Sequence, residues 1–146
     1  SFRLVPERCL LQLPILHGKR GKCTTAFPPR AVHGKRAYQR LPAVADGIIS
    51  TRPNIIRHAK QLGLLTIQRF FLLDSLSFEN VLRQSSNADA VDLLPGTQPR
   101  VLERLSHKVR QPIIASGLLT DKQDIVAALS AGAQAVSTTC EMLWDI

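Results

Sequence analysis

The chain has 146 residues, one domain's worth, and its 45% hydrophobic and 21% charged content is ordinary for a globular protein. No apolar stretch approaches the roughly 18 residues of a membrane span, so a membrane protein is not expected. Three scattered cysteines, Cys9, Cys23 and Cys140, show no CxxC spacing, which argues against a disulfide framework and for reduced thiols in a cytoplasmic protein. The net charge of +8 is uneven: residues 1–45 hold nine Lys or Arg against Glu7 alone, and residues 46–146 are neutral.

Residues 1–45 read as a basic, proline-rich segment without a period of 2 or 3.6, and hold five of the nine prolines. The opening apolar stretch is broken by Gln12 and Pro14 and lacks an A-x-A-like site, so a signal peptide is not expected. LLQLPIL has strand character, but Pro14 demotes it. Two readings stay open. One is a native basic arm for RNA or DNA. The other, the one expected here, is disordered or non-native sequence, such as a shifted frame or a gene fragment.

Residues 46–146 carry a βα rhythm and form the expected domain. Asp46–Thr51 is a short strand, and Pro53 suits the first turn of a helix that buries Ile55, Ile56, Ala59 and Leu62 and stops at Gly63. Leu64–Phe71 is the next strand. Ser75 or Ser77 then caps a helix with Phe78, Val81 and Leu82 inward. Ala90–Leu94 is a strand closed by Pro95–Gly96, and the helix after it has Pro99 in its first turn and Val101, Leu102, Leu105 and Val109 inward. Pro112–Ala115 is a strand. Thr120 and Gln123 form a capping box for a helix burying Ile125, Val126 and Leu129, with Gly132 as its stop. Ala133–Ser137 is the fifth strand, and a short helix containing Trp144 ends the chain.

Strand starts spaced about 20 residues apart leave room for one crossover helix each, which implies a parallel sheet and an α/β fold of TIM-barrel type. Five βα units are too few for eight strands, so an incomplete barrel is expected. PIIASGLL (112–119) and AQAVSTT (133–139) are short apolar strands that end in small or hydroxyl residues and lead toward a helix. A helix amino end offers unpaired N–H groups and partial positive charge to a phosphate, and the last strands of such barrels commonly use it.

The stretches DGIISTRPNIIRHAKQLGLLTIQRFFLLDS (46–75), ADAVDLLPG (88–96), PIIASGLLTDKQDIVAALSAGAQAVSTT (112–139) and LW (143–144) together resemble the glycerol uptake operon antiterminators, also described as glycerol-3-phosphate-responsive antiterminators. The resemblance covers about two-thirds of the chain and excludes the N-terminal third. Ser116 departs from it, standing where the family usually has a second glycine. The resemblance implies a barrel-like regulator, not an enzyme. Such a regulator senses glycerol 3-phosphate, needs no cofactor beyond that effector, and acts on leader mRNA of glycerol-utilisation genes. The RNA partner rests on the resemblance alone, and the oligomeric state is left open.

Ser116, Gly117, Ser137, Thr138 and Thr139 are the candidate phosphate cradle, with helix capping as the plainer alternative. Gly96 is a third candidate for close approach. Gln68 and Arg69 lie in an apolar strand, and alternation sends one of them away from the outer helices. Arg69 is a candidate ligand contact, or a partner of Asp74. Asp92 is a candidate acceptor for a polyol hydroxyl, or the interior partner of Arg69. Arg52 is a candidate counter-charge. His17, His33, His58 and His107 have no metal spacing, and His58 and His107 are expected to face solvent. Cys140 is expected to be a structural thiol. Two other functions compete. One is a barrel enzyme acting on a phosphosugar, weakened by the lack of a strand-end lysine and of an acid–base pair. The other is a truncated, non-functional family member.

Overall fold

The computed structural model describes residues 2–4, 9–11, 22–25 and 47–143. Three short strands come first: β1 (Phe2–Leu4), β2 (Cys9–Leu11) and β3 (Lys22–Thr25). The alternating part follows as β4 (Gly47–Ser50), α1 (Pro53–Gln61), β5 (Leu65–Phe71), α2 (Ser75–Gln84), β6 (Ala90–Leu94), α3 (Pro99–Ser106), β7 (Ile113–Ser116), α4 (Lys122–Ser130) and β8 (Ala135–Thr138). Single 3-10 turns follow α2 at Ser85–Asn87 and β8 at Glu141–Leu143. The expected strand start at Asp46 and the helix with Trp144 lie outside the described residues.

All five expected parallel strands are present, and β3 to β8 run parallel, each beside its neighbour in sequence. The ring order is β1-β2-β8-β7-β6-β5-β4-β3, and it closes. This corrects the incomplete barrel that five units imply. β1 pairs parallel with β3, whereas β2 runs antiparallel to both β1 and β8. An open sheet edge exposes a row of unpaired N–H and C=O groups. Segments of three or four residues can pair with that row while being too short to print a period in the sequence.

The core has two layers. Inside the ring, Ile49, Ile67, Ala90, Ile114 and Ala135 meet. Outside it, Val91, Leu93, Ile113 and Ala115 of the sheet pack against Phe78 and Val81 of α2, Leu102 and Leu105 of α3, and Ala128 of α4. Ile48, Ile56, Ala59 and Leu64 seal α1 onto the sheet. Inner and outer residues alternate along each strand, as the pleat requires.

The helix ends refine three expectations. The cap of α2 is Asp74, whose carboxylate accepts from Ser77 N at 2.8 Å, while Ser77 Oγ accepts from Asp74 N at 3.0 Å. The cap of α4 is Asp121 paired with Asp124, not Thr120 with Gln123. Aspartate caps as well as serine or threonine, so residue type alone could not choose between neighbours. Along α4, Ile125 is buried as expected and Ala128 with it, while Val126 and Leu129 are exposed at 52% and 43%, against expectation. His58 is half-buried and His107 exposed.

Gly63 and Gly132 end α1 and α4 with φ of +75° and +97°, the left-handed conformation that favours glycine after a helix. At Gly132 a Cβ would lie 2.6 Å from both Cβ and Oγ of Ser106, the last residue of α3. Gly96 does not have a positive φ. Its constraint is space: a Cβ there would sit 2.9 Å from the Ser116 nitrogen and 3.1 Å from the Ala115 carbonyl carbon. Both are backbone atoms and cannot swing aside. Gly96→Ala should therefore push β7 from the β6–α3 turn and cost about 1–3 kcal/mol, the usual scale of overpacking, measured as a shift in the urea midpoint.

Candidate functional site

Alternation places the site. Ile67, Ala90, Ile114 and Ala135 point into the ring, so Arg69, Asp92, Ser116 and Ser137, each two residues further along, point into its C-terminal mouth. Register brings them level in pairs, Arg69 beside Asp92 and Ser116 beside Ser137. Ligands bind at this end of the strands in parallel α/β folds.

Asp92 is the hub of the mouth. Arg69 Nε donates to its Oδ2 at 2.6 Å, and Ser116 Oγ donates to its Oδ1 in a short hydrogen bond. Its side chain is 2% exposed, and that of Arg69 is 19% exposed. Burial pushes the Asp92 carboxyl above its ordinary value, while the Arg69 charge and the Ser116 and Arg69 hydrogen bonds pull it down. The interior Arg69–Asp92 pair is thus the one that forms, and Asp74 serves as a helix cap instead. Gln68 faces outward and donates from Nε2 to Gln84 Oε1 at 3.1 Å on α2. Its own Oε1 is buried and has no partner among the described residues.

The other candidates fall in different places. Ser137 is buried in the mouth. Thr138 points outward, where its Oγ1 donates to Leu119 O at 2.8 Å and accepts from Cys140 N at 3.1 Å, tying the loop after β7 to the end of β8. Thr139 is exposed, and Cys140 is a free, half-buried thiol. Gly117 has φ +74° and packs on Leu94, where a Cβ would meet Cδ2 at 3.2 Å. Gly96 fits against the β7 backbone and donates from N to Ser116 O at 2.6 Å, so its close approach is to the sheet. Arg52 is exposed at the start of α1, and its N–H donates to Ser50 Oγ at 3.2 Å.

The expected cradle changes in one respect. The chain after β7 does not open directly into a helix. Gly117 and Leu118 both take positive φ first, and α4 starts at Lys122 with its amino end already filled. Asp121 Oδ1 accepts from Asp124 N at 2.8 Å, and Asp124 Oδ2 accepts from Thr120 N at 3.0 Å. Two carboxylates occupy the place an anion would take. After β8 the described chain makes only a single 3-10 turn. Among the described residues the cationic group in the mouth is therefore Arg69. Sequence reading missed Leu118, which is 71% exposed with φ +60° at the rim. That conformation costs a non-glycine residue roughly 1–2 kcal/mol, and nothing in its residue type announces it.

A family model described as glycerol-3-phosphate responsive antiterminator matches residues 37–144. The chain belongs to that family. The Escherichia coli (strain K12) protein YgcP is 41% identical over 111 residues, which are 75% of this chain and 58% of YgcP, so the chain spans less than two thirds of that relative. Among solved structures, this family member is similar to the glycerol uptake operon antiterminator regulatory protein of Listeria monocytogenes. Identity is 31% and the TM-score 0.77, over 86% of this chain and 71% of the other. A glycerol uptake operon antiterminator-related protein of Thermotoga maritima is similar at 29% identity and a TM-score of 0.73, over 87% and 74%. Among the described residues of this antiterminator-family chain, no cluster of His, Cys, Asp and Glu could hold a metal ion, and no helix is long and apolar enough to cross a membrane.

Proposed function

We propose that this chain is a ligand-responsive transcription antiterminator: it takes glycerol 3-phosphate into the barrel mouth and acts on leader mRNA of glycerol-utilisation genes in the cytoplasm. It performs no turnover and uses no cofactor beyond the effector. The observation that carries this reading is the Arg69–Asp92–Ser116 network at the C-terminal mouth of a chain that belongs to the antiterminator family.

The network suits a small anion. Asp92 occupies Arg69 through Nε, which leaves the two Nη groups without a hydrogen-bond partner among the described residues. A phosphate there is held by charge-assisted hydrogen bonds, which are about twice as strong as neutral ones. Ser116, Gly117 and Ser137 lie next to it for the glycerol hydroxyls. Asp92 itself has both oxygens engaged, so it acts by holding Arg69 and Ser116 rather than by receiving a substrate proton. That weighs against the phosphosugar-enzyme alternative, for which Asp92 is the one interior carboxylate of the mouth among the described residues.

A thermal melt with and without glycerol 3-phosphate tests the reading, with glycerol as the control. Ligand at about 100 times its dissociation constant should add about 2.7 kcal/mol of stability. A transition raised by the phosphorylated compound and not by glycerol supports a sensor. An unshifted transition, or conversion of the compound during incubation, rejects it.

A further inference from the structure

We infer that the outer face of α3 and the cleft beside it form a binding surface for single-stranded RNA, with phosphates on Arg100, Arg104 and Lys108 and one base in the cleft. This rests on the reading above that RNA is the partner, and adds where it binds. Residues 46–146 are neutral overall, but four of their ten Lys and Arg fall between positions 100 and 110, where Glu103 is the sole acid. Folding turns this spacing into a ridge. Arg100, Arg104 and Lys108 recur every fourth residue, about 6 Å apart along a helix axis. The backbone carries the turn past the end of α3, with Lys108 N and Val109 N both donating to Leu105 O at 2.9 and 2.8 Å. Leu102, Leu105 and Val109 face the sheet, and all the basic side chains are exposed.

These cations have no acidic partner among the described residues: none of Arg100, Arg104, Lys108 and Arg110 forms an ion pair there, whereas Lys60 and Arg69 each do. An unpaired row of like charges on one helix costs self-repulsion, and a polyanion relieves it. The second observation distinguishes RNA from an acidic protein. The Arg104 guanidinium carbon lies over the Phe78 ring, 4.7 Å from its centroid. Next to it, between α2 and α3, is a cleft of about 360 Å³ lined by Leu72, Phe78, Gln98 and Arg104, with the carboxylates of Asp74 and Glu79 on its α2 side, where they would meet the base rather than the phosphates. RNA-binding surfaces stack unpaired bases on aromatic rings and arginine planes beside a basic track. The cleft has room for a base, and Gln98 offers both a donor and an acceptor to its edge.

The test measures fluorescence anisotropy of an end-labelled oligouridylate of about 20 nucleotides with the purified chain across a salt series. Two variants remove the same charge from different places: Arg100→Gln with Lys108→Gln on the ridge, and Arg57→Gln with Lys122→Gln, both exposed, on α1 and α4. The ridge pair should lose at least about tenfold in affinity at low salt, and its log–log salt slope should flatten by about 1.4, as expected for two lost phosphate contacts on a single strand. The control pair should change less than about twofold. Arg104→Lys, which keeps the charge but not the plane, should lose affinity without changing the slope. Equal losses in the two pairs overturn the surface while leaving RNA as the partner. Wild-type chain that binds no RNA, yet is stabilised by glycerol 3-phosphate, overturns both the surface and the RNA half of the reading. Polyglutamate displacing the probe as well as unlabelled RNA does would assign the ridge to an acidic protein and overturn the inference.

Discussion

Asp92→Ala should lower stability by about 3 kcal/mol and abolish effector binding. Deleting one partner of a buried ion pair typically costs about 3–5 kcal/mol, because the other charge stays behind uncompensated. The lower end applies because Arg69 keeps 19% of its side chain in solvent. For a chain of this length that is a fall in Tm of about 10 °C, read by circular dichroism. Ser116 loses its acceptor in the same step, and Arg69 loses the group that orients it. A Tm within about 2 °C of wild type would mean that the pair holds nothing together. Asp92→Asn isolates the proton. Burial raises the carboxyl above its ordinary 3.8, so the folded chain holds this proton more tightly than the unfolded chain does. The stability from that preference is full below pH 3.8 and is lost as pH rises through the folded value. The advantage of wild type over Asp92→Asn should therefore shrink as pH rises above 3.8. A constant difference would count against a raised value.

The second large effect is expected outside the ring. Leu102 is fully buried between α3 and the sheet, within the cluster that also holds Leu93, Leu105 and Ile113. Leu102→Ala should cost about 2–5 kcal/mol, the lost transfer energy plus the cavity left behind. Leu102→Met, which nearly conserves volume, should cost less than about 1.5 kcal/mol. Urea titrations of both variants read the difference directly. Similar losses for the two would show that shape, rather than buried apolar volume, governs this seam.

What the sequence made legible was the local part. β6 lies where its apolar run between turn residues places it, at Ala90–Leu94. β7 and β8 start later than expected, at Ile113 and Ala135. Both flanking residues still bond across: Pro112 O accepts from Val91 N and Gln134 N donates to Ile113 O, each at 2.9 Å, while Gln134 Oε1 accepts from Ile113 N at 2.6 Å. The choice of Asp92 over Asp74 for Arg69 depends on register across two strands, which no local pattern encodes. Ile125 is buried as expected, but its inward partner is Ala128 in place of Val126 and Leu129, a choice of face that two adjacent apolar residues leave open. The ridge on α3 was hidden differently. Its charges are spread among Leu102, Glu103, Leu105 and Ser106 in the chain, and only the helical turn collects them.

Ser116 illustrates how a departure from a family pattern can be read. A glycine there would leave Asp92 Oδ1 without the hydroxyl that now donates to it. The serine closes the network from within the protein, so both Asp92 carboxylate oxygens are satisfied by the protein's own side chains.

The contact between Gly132 and Ser106 has a mechanical consequence. The turn that feeds β8, and so Ser137 in the mouth, touches the end of the helix that carries the basic ridge, with less than a methyl group's width between them. There is no cushion at that joint. A single added carbon at position 132 would meet Ser106 Cβ and Oγ at 2.6 Å and wedge the turn before β8 away from the end of α3.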